Sequence, residues 1–258
     1  MKLPIEEFGK QLILTGDLDP VYIAIYGANL PKPQLMKLLI AYWAFYHLGV
    51  AAFLSEQEPF WEACEVAARN TTPSPLMSRW PRSSERRHFR GEACVRAIQW
   101  LSKETVEARF EPLLKGTLAE VSEAIQAWPL FGNWISYKAA DMLERCWGQK
   151  VEFGLDVCLL YDSPRKGLLM LAPENPEREL DRLLKVFGKY KAPPIYDRAC
   201  GVQEIETILC KFYSYTNGTY WIGKDIHEVR HGLVGWGDTA KRLLSKSPAE
   251  VKPIGKLF

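Results

Sequence analysis

The pattern His227-Glu228-Val229-Arg230-His231 sets two imidazoles four residues apart. On a helix that spacing turns both to one face, with a glutamate beside them to act as general base at a zinc ion. A third ligand is then required. Position 234 is Val where one zincin class has Gly, no histidine follows, and Glu250, which alone could serve another class, lies in a proline-containing tail. Asp225 and Glu228 also read as an N-terminal cap pair. The expectation is a capped helix without metal, and a zinc metallopeptidase stands as a further alternative.

Arginines form the second constellation. Arg79, Arg82, Arg86, Arg87 and Arg90 fall within twelve residues. If a helix runs from Ser83 to Ser102, Arg82, Arg86 and Arg90 recur at i, i+4 and i+8 and share a face. Guanidinium groups so arranged could clamp phosphates, because each fork can bond two phosphate oxygens. A solvated face beside Glu85 and Glu92 is the other reading.

The third is the run Trp128-Pro129-Leu130-Phe131-Gly132-Asn133-Trp134 and the helix it feeds. The first amides of such a helix lack intrahelical acceptors and make an anion site suited to a DNA phosphate. Further along, Lys138, Asp141 and Arg145 form one stripe opposite Ile135, Ala139, Met142, Leu143 and Cys146. That stripe is either a solvated face with an Asp–Arg pair or the lining of a cleft.

Two more places carry chemistry. Tyr161-Asp162-Ser163-Pro164-Arg165-Lys166-Gly167 combines a carboxylate, a hydroxyl and two cations, a mixture that suits a diphosphate with or without a divalent metal. An exposed turn would use the same residues. In the run 204–212, Glu206 and Cys210 share a helical face, and Cys210 reads as a buried thiol.

The elements that position these groups are helical. Leu38–Leu54 carries no formal charge, but at 17 residues it is short of the about 20 apolar residues a membrane span needs. It reads as one buried helix with Pro33 in its opening turn. Thr117-Leu118-Ala119-Glu120 is a capping box, a helix follows from Asn133 to Trp147 with Gly148 as its stop, and Asn175-Pro176 opens another that ends at Gly188. The run 155–161 is equally a short strand or a short helix. Two last helices, about 202–214 and 225–245, flank the turn Asn217-Gly218. The predicted class is all-α or nearly so.

Composition narrows the rest. The 258 residues hold 33 Lys plus Arg against 31 Asp plus Glu, a net charge of +2, so any nucleic-acid surface has to be local. Six cysteines form no CxxC pair, which removes zinc ribbons and thioredoxin-like sites. Acidic residues in Met1-Lys2-Leu3-Pro4-Ile5-Glu6-Glu7 stand where a signal peptide has an apolar run.

The Pro/Gly turn and its helix resemble the hairpin of the helix-hairpin-helix DNA glycosylases, whose acidic residue follows the helix at the mouth of the base pocket. Asp156 falls there, and Trp134 occupies the position of the usual lysine nucleophile. Taken together, Trp-Pro-Leu-Phe-Gly-Asn-Trp, Leu-Asp-Val, Tyr-Asp-Ser-Pro-Arg-Lys-Gly and Glu-Thr-Ile-Leu-Cys-Lys resemble the bacteriophage amino acid:DNA transferases, also called α-glutamyl/putrescinyl thymine pyrophosphorylases. The likeness covers roughly residues 80–230 and is strongest over 128–167.

That resemblance implies a helical DNA glycosylase-like bundle, with residues 1–170 as its core and 171–258 as a helical extension packed on it, or one continuous domain. It implies a transferase that joins an amino acid, through its amine, to pyrophosphorylated 5-hydroxymethyluracil in double-stranded phage DNA and releases diphosphate. A 5-hydroxymethyluracil DNA kinase would supply the substrate, in the cytoplasm of an infected bacterium and away from any membrane. Asp156, Lys138 and Asp141 are the implied catalytic residues, and Arg165 and Lys166 hold diphosphate. Asp162 and Glu206 take the amino acid, while Arg82, Arg86, Arg90, Gly132, Asn133 and Trp134 meet DNA. No cofactor is expected, apart from a possible divalent metal. A glycosylase-like enzyme or binder of modified DNA is the alternative.

Overall fold

The computed structural model describes residues 2–86 and 89–254, leaving aside the side chain of Ser84. Arg87 of the arginine cluster lies outside the described residues. Among them there is no strand, only three isolated bridges, so the fold is all-α. In chain order the helices are α1 (Ile5–Thr15), α2 (Pro20–Ala28), α3 (Lys32–Phe45), α4 (Leu48–Ser55), α5 (Phe60–Arg69), α6 (Gly91–Leu101), α7 (Val106–Phe110) and α8 (Leu118–Gln126). Then follow α9 (Asn133–Met142), α10 (Val157–Leu160), α11 (Asp162–Leu171), α12 (Pro176–Phe187), α13 (Val202–Thr216), α14 (Lys224–Leu233) and α15 (Asp238–Lys246). None of them is long and apolar enough to cross a membrane.

By compactness the chain divides into two units of interleaved segments. The first comprises Met1–Ala24, Phe153–Val229 and Ser247–Phe258, and the second Ile25–Glu152 and Arg230–Lys246. Residue 170 therefore falls inside the first unit, within α11.

The first unit is built around α13, whose residues are buried for most of its length. Phe8 stacks on Tyr215 with ring centroids 4.7 Å apart and also meets Phe212 and Tyr220. Gly167 lets α11 sit directly on α13, since a Cβ there would run into the Leu209 carbonyl oxygen. Asp17 is fully buried and accepts from the Tyr220 hydroxyl at 2.6 Å, from Gly223 N at 2.6 Å and from Ile226 N at 3.0 Å. The start of α14 is thus capped from a distance by Asp17. Asp225 pairs instead with Lys211 at 2.7 Å and Glu228 with Lys224 at 3.3 Å, which replaces the local cap pair read from sequence.

The second unit packs α3, α4 and α9 at its centre. Trp43 stacks on Phe110 at 5.9 Å and donates its ring N–H toward Met142 Sδ at 3.3 Å. Trp236 is buried against His47, Phe53 and Trp80. Gly49 is required where α4 passes the Gly232 carbonyl, because a Cβ would clash with that oxygen.

Three sequence expectations are corrected. The apolar run 38–54 is two helices, broken where Tyr46 turns left-handed and His47 accepts from Val50 N to cap α4. The helix expected from Ser83 is a 3-10 turn, Ser84–Arg86, followed by α6, because Gly91 enters at φ 69° and the Arg86 side chain is drawn inward. The last helix is likewise divided, by Gly235 and Gly237 at φ 85° and 106°. The capping box at Thr117 and the Asn175 cap of α12 form as read, and the run 155–161 resolves as α10 and its flanks.

Candidate active site

In the second unit the turn before α9 is held from beneath. Arg86 is only 7% exposed and lies between the Phe89 and Phe131 rings, at 4.5 and 4.9 Å. It donates to the Ala44 and Leu130 carbonyls at 3.1 Å each. Burial lowers its pKa to about 10, so it remains a cation at neutral pH. Arg82 is half-buried and donates to the carbonyls of Phe89 and Ala67. These two arginines knit the loop, and with no helix beneath them the shared face with Arg90 does not form. Arg90 is exposed at the N-cap of α6.

Above that support, Leu130 takes φ 68° and is 44% exposed. Gly132 and Asn133 are exposed, and a Cβ on Gly132 would meet nothing within 4 Å. The first amides of α9 thus start at an open surface. The stripe along α9 and the π-helical turn Leu143–Trp147 that continues it is not a solvated face, because Asp141 is 3% and Arg145 1% exposed, with Glu144 3.7 Å from Arg145. Packing surrounds α9 after its first turn, which a single-face reading of the helix misses. Lys138 is half-buried, with Nζ 5.0 Å from the Tyr137 ring.

Two residues that sequence reasoning passed over lie near α9: Tyr42 within reach of the Lys138 charge, and Tyr46 with its ring 4.9 Å from Trp134. Burial pushes the Tyr42 phenol well above its ordinary pKa, the neighbouring Tyr46 adds to this, and the Lys138 charge opposes it. Both tyrosines were hidden in an uncharged run that reads as core. Only their hydroxyls, in so apolar a stretch, distinguish them.

In the first unit, Asp156 is exposed just before α10 and its side chain makes no cap bond. Glu206 is 4% exposed on α13 and accepts from Thr207 Oγ1 at 3.3 Å. Both carboxylates lie near Cys158: burial chiefly raises that thiol's pKa, and the charges of Glu206 and Asp156 raise it further. Fold and charge therefore bring Asp156 and Glu206 to one neighbourhood. Cys158 is another residue that sequence reasoning missed, while Cys210 is only partly buried. Asp162 opens α11 and is bridged by Lys166 at 2.5 Å and Arg165 at 3.2 Å, all three exposed. Those bonds, the lysine's first, hold the Asp162 carboxyl below its usual pKa.

On α14, His227 Nδ1 lies 3.6 Å from Glu250 Oε1, and both are exposed. The motif glutamate, Glu228, is engaged by Lys224.

The second unit thus carries a supported turn feeding α9, and the first carries two carboxylates beside α10 and α13. A profile of the amino acid:DNA transferase family matches residues 10–219. The chain is 37% identical to a glycinyltransferase of Pseudomonas phage PaMx11 over 93% of each protein. It is 28% identical to a putrescinyltransferase of Delftia phage PhiW-14, over 91% of this chain and 79% of that one. The protein belongs to the amino acid:DNA transferase family: it is an enzyme whose substrates are phage DNA and an amino acid.

Proposed function

We propose that the enzyme joins glycine, or another small amino acid, through its amine to the 5-methylene carbon of pyrophosphorylated 5-hydroxymethyluracil in duplex phage DNA. The observation that carries this reading is the family match over residues 10–219, together with the near full-length similarity to a glycinyltransferase. In the reaction the amine nitrogen forms a bond to the methylene carbon, the carbon–oxygen bond to diphosphate breaks, and diphosphate leaves with the electron pair. The amine must first be neutral, because an ammonium has no lone pair.

Asp156 accepts the ammonium proton, and Glu206 pairs with the same charge, with Asp162 as a weaker candidate. Each unit carries cations suited to the leaving diphosphate: Arg165 and Lys166 in the first, which exchange part of their pairing with Asp162 for it, and Lys138 in the second. Asp141, being buried, acts by holding α9 in place beneath Lys138. Gly132, Asn133 and Trp134 carry the backbone phosphate, since the open start of α9 presents amides to an anion. Arg90 adds a surface cation, while Arg82 and Arg86 act through the loop. The modified base is extruded to be reached, at the cost of its stacking. A kinase acting on 5-hydroxymethyluracil in DNA supplies the activated base, in the cytoplasm of the infected host.

The test is mass spectrometry of nucleosides after incubating pyrophosphorylated DNA with the enzyme and mixed amino acids. A heavier thymidine carrying a single amino acid is expected. Released free base with no heavier nucleoside would replace transfer with glycosylase chemistry.

A further inference from the structure

Tyr46 ends α3 at φ 50° and ψ 39°, in the left-handed region. Helices often end this way, but on glycine or asparagine, which tolerate the conformation better. Asn29 and Asn70 do so after α2 and α5. A tyrosine bears the same backbone demand at greater cost, a strain of the kind that clusters at ligand sites.

That side chain has defined neighbours. Its ring lies 4.6 Å from Tyr42 and 4.9 Å, edge-on, from Trp134. Tyr42 is buried behind it, and the two tyrosines share a side-chain hydrogen bond. Trp134 comes from the first turn of α9, directly after exposed Gly132 and Asn133, and is itself half-buried. Lys138 follows one turn later on the same helix, close enough to Tyr42 for its charge to be felt there. Two half-exposed aromatic rings, a pair of hydroxyls and a cation thus converge beside the open start of α9.

An extruded pyrimidine needs a π surface to replace its lost stacking and polar groups for its edges. One bearing a diphosphate also needs a cation beside its 5-substituent. We propose that Tyr46 and Trp134 form the stacking wall for the extruded uracil of the DNA substrate, with Lys138 placed for its diphosphate. The inference rests on the transferase reading above and names the base subsite within it.

The experiment uses a duplex carrying pyrophosphorylated 5-hydroxymethyluracil beside 2-aminopurine, whose fluorescence rises when its neighbour unstacks. Tyr46→Gly is the informative variant, because glycine suits the backbone better than tyrosine does. It should melt within a few degrees of wild type, yet lose roughly 10–100-fold in kcat/KM for DNA, the worth of one base–aromatic stack. KM for glycine should not move. Trp134→Ala should behave alike, whereas Trp134→Phe and Tyr46→Phe keep a π face and most of the activity. The fluorescence rise should shrink in Tyr46→Gly and Trp134→Ala. Wild-type transfer and fluorescence in those two variants would overturn the stacking wall and leave the transferase reading intact. If wild type transfers nothing while the rise still depends on Tyr46 and Trp134, the wall stands and the transferase reading falls.

Discussion

Arg86 donates from Nη1 to the Leu130 carbonyl at 3.1 Å, joining positions 44 residues apart in the chain. The bond reaches the turn at the residue forced to positive φ, so a buried cation supports the strained step that leads into α9. An arginine that sequence spacing would put on phosphate here shapes the turn before α9.

Replacing Arg86 with Gln leaves the Ala44 and Leu130 carbonyls without their donor and removes a cation from between two rings. The stranded Ala44 acceptor is buried and costs about 1–3 kcal/mol, while the part-buried Leu130 carbonyl can turn to water and adds about 1 kcal/mol or less, so a loss of about 1–4 kcal/mol is expected in urea denaturation. The salt dependence of DNA binding should keep its slope. Arg90→Gln should do the reverse, leaving stability intact and reducing the slope by about one. A flattened slope with unchanged stability in Arg86→Gln would return that side chain to the DNA backbone.

Local signals in this sequence were legible where the structure answers them locally. Thr117 Oγ1 accepts from Glu120 N at 3.3 Å and Glu120 Oε2 from Thr117 N at 3.1 Å, a capping box contained in four residues. The Asn175 cap is of the same kind, with its side chain accepting from Arg178 N at 3.1 Å. What escaped reading depends on distant partners. Arg86 is drawn inward by a carbonyl on α3, and α14 is capped by Asp17, more than 200 residues away. The break at Tyr46 carries no Gly or Pro, so nothing local announces it. Asp141 and Arg145 look like a wet stripe only if α9 has a wet side. For the candidate site, residue types around Asp156 and Glu206 could be read, but Tyr42 near Lys138 and Tyr46 beside Trp134 needed the fold of α3 against α9.

His47 should make stability fall with acid. Burial depresses its pKa from the ordinary 6.5 to about 4, while Nδ1 accepts from Val50 N at 3.2 Å. Between these values the unfolded chain binds a proton that the folded one refuses. The stabilisation is therefore whole above about pH 6.5 and is lost as pH falls toward 4, by at most about 3 kcal/mol. His47→Asn keeps an acceptor for the cap without a titrating ring. Urea midpoints from pH 4 to 7 should show the wild type losing more than the variant, and parallel curves would refute this.

Alanine at His227 and at His231 should leave transfer within a few-fold, and chelators should have no effect through these positions. Glu228, the residue a zinc peptidase would use as base, is bonded to Lys224, and the motif belongs to a helix capped by Asp17. Activity lost in the alanine variants, or lost to a chelator and restored by added zinc, would put a metal into the reaction.

Asp156 is the residue on which the proposed chemistry turns. An amino acid's amine is mostly protonated at neutral pH and cannot attack until that proton is accepted. Asp156 is exposed before α10, and its side chain makes no cap bond, so its carboxylate is not explained by helix capping. Asp156→Asn should preserve fold, melting temperature and DNA affinity while lowering kcat about 10²–10⁴-fold, the range for a lost general base. Raising the pH should recover part of the loss, because more amine is then neutral without help. The pH profile of the variant should accordingly rise toward the amine's own pKa, where the wild type has already levelled. A variant with near-wild-type turnover and an unaltered profile would remove Asp156 from catalysis and pass the proton to another group, with Glu206 next to be tested.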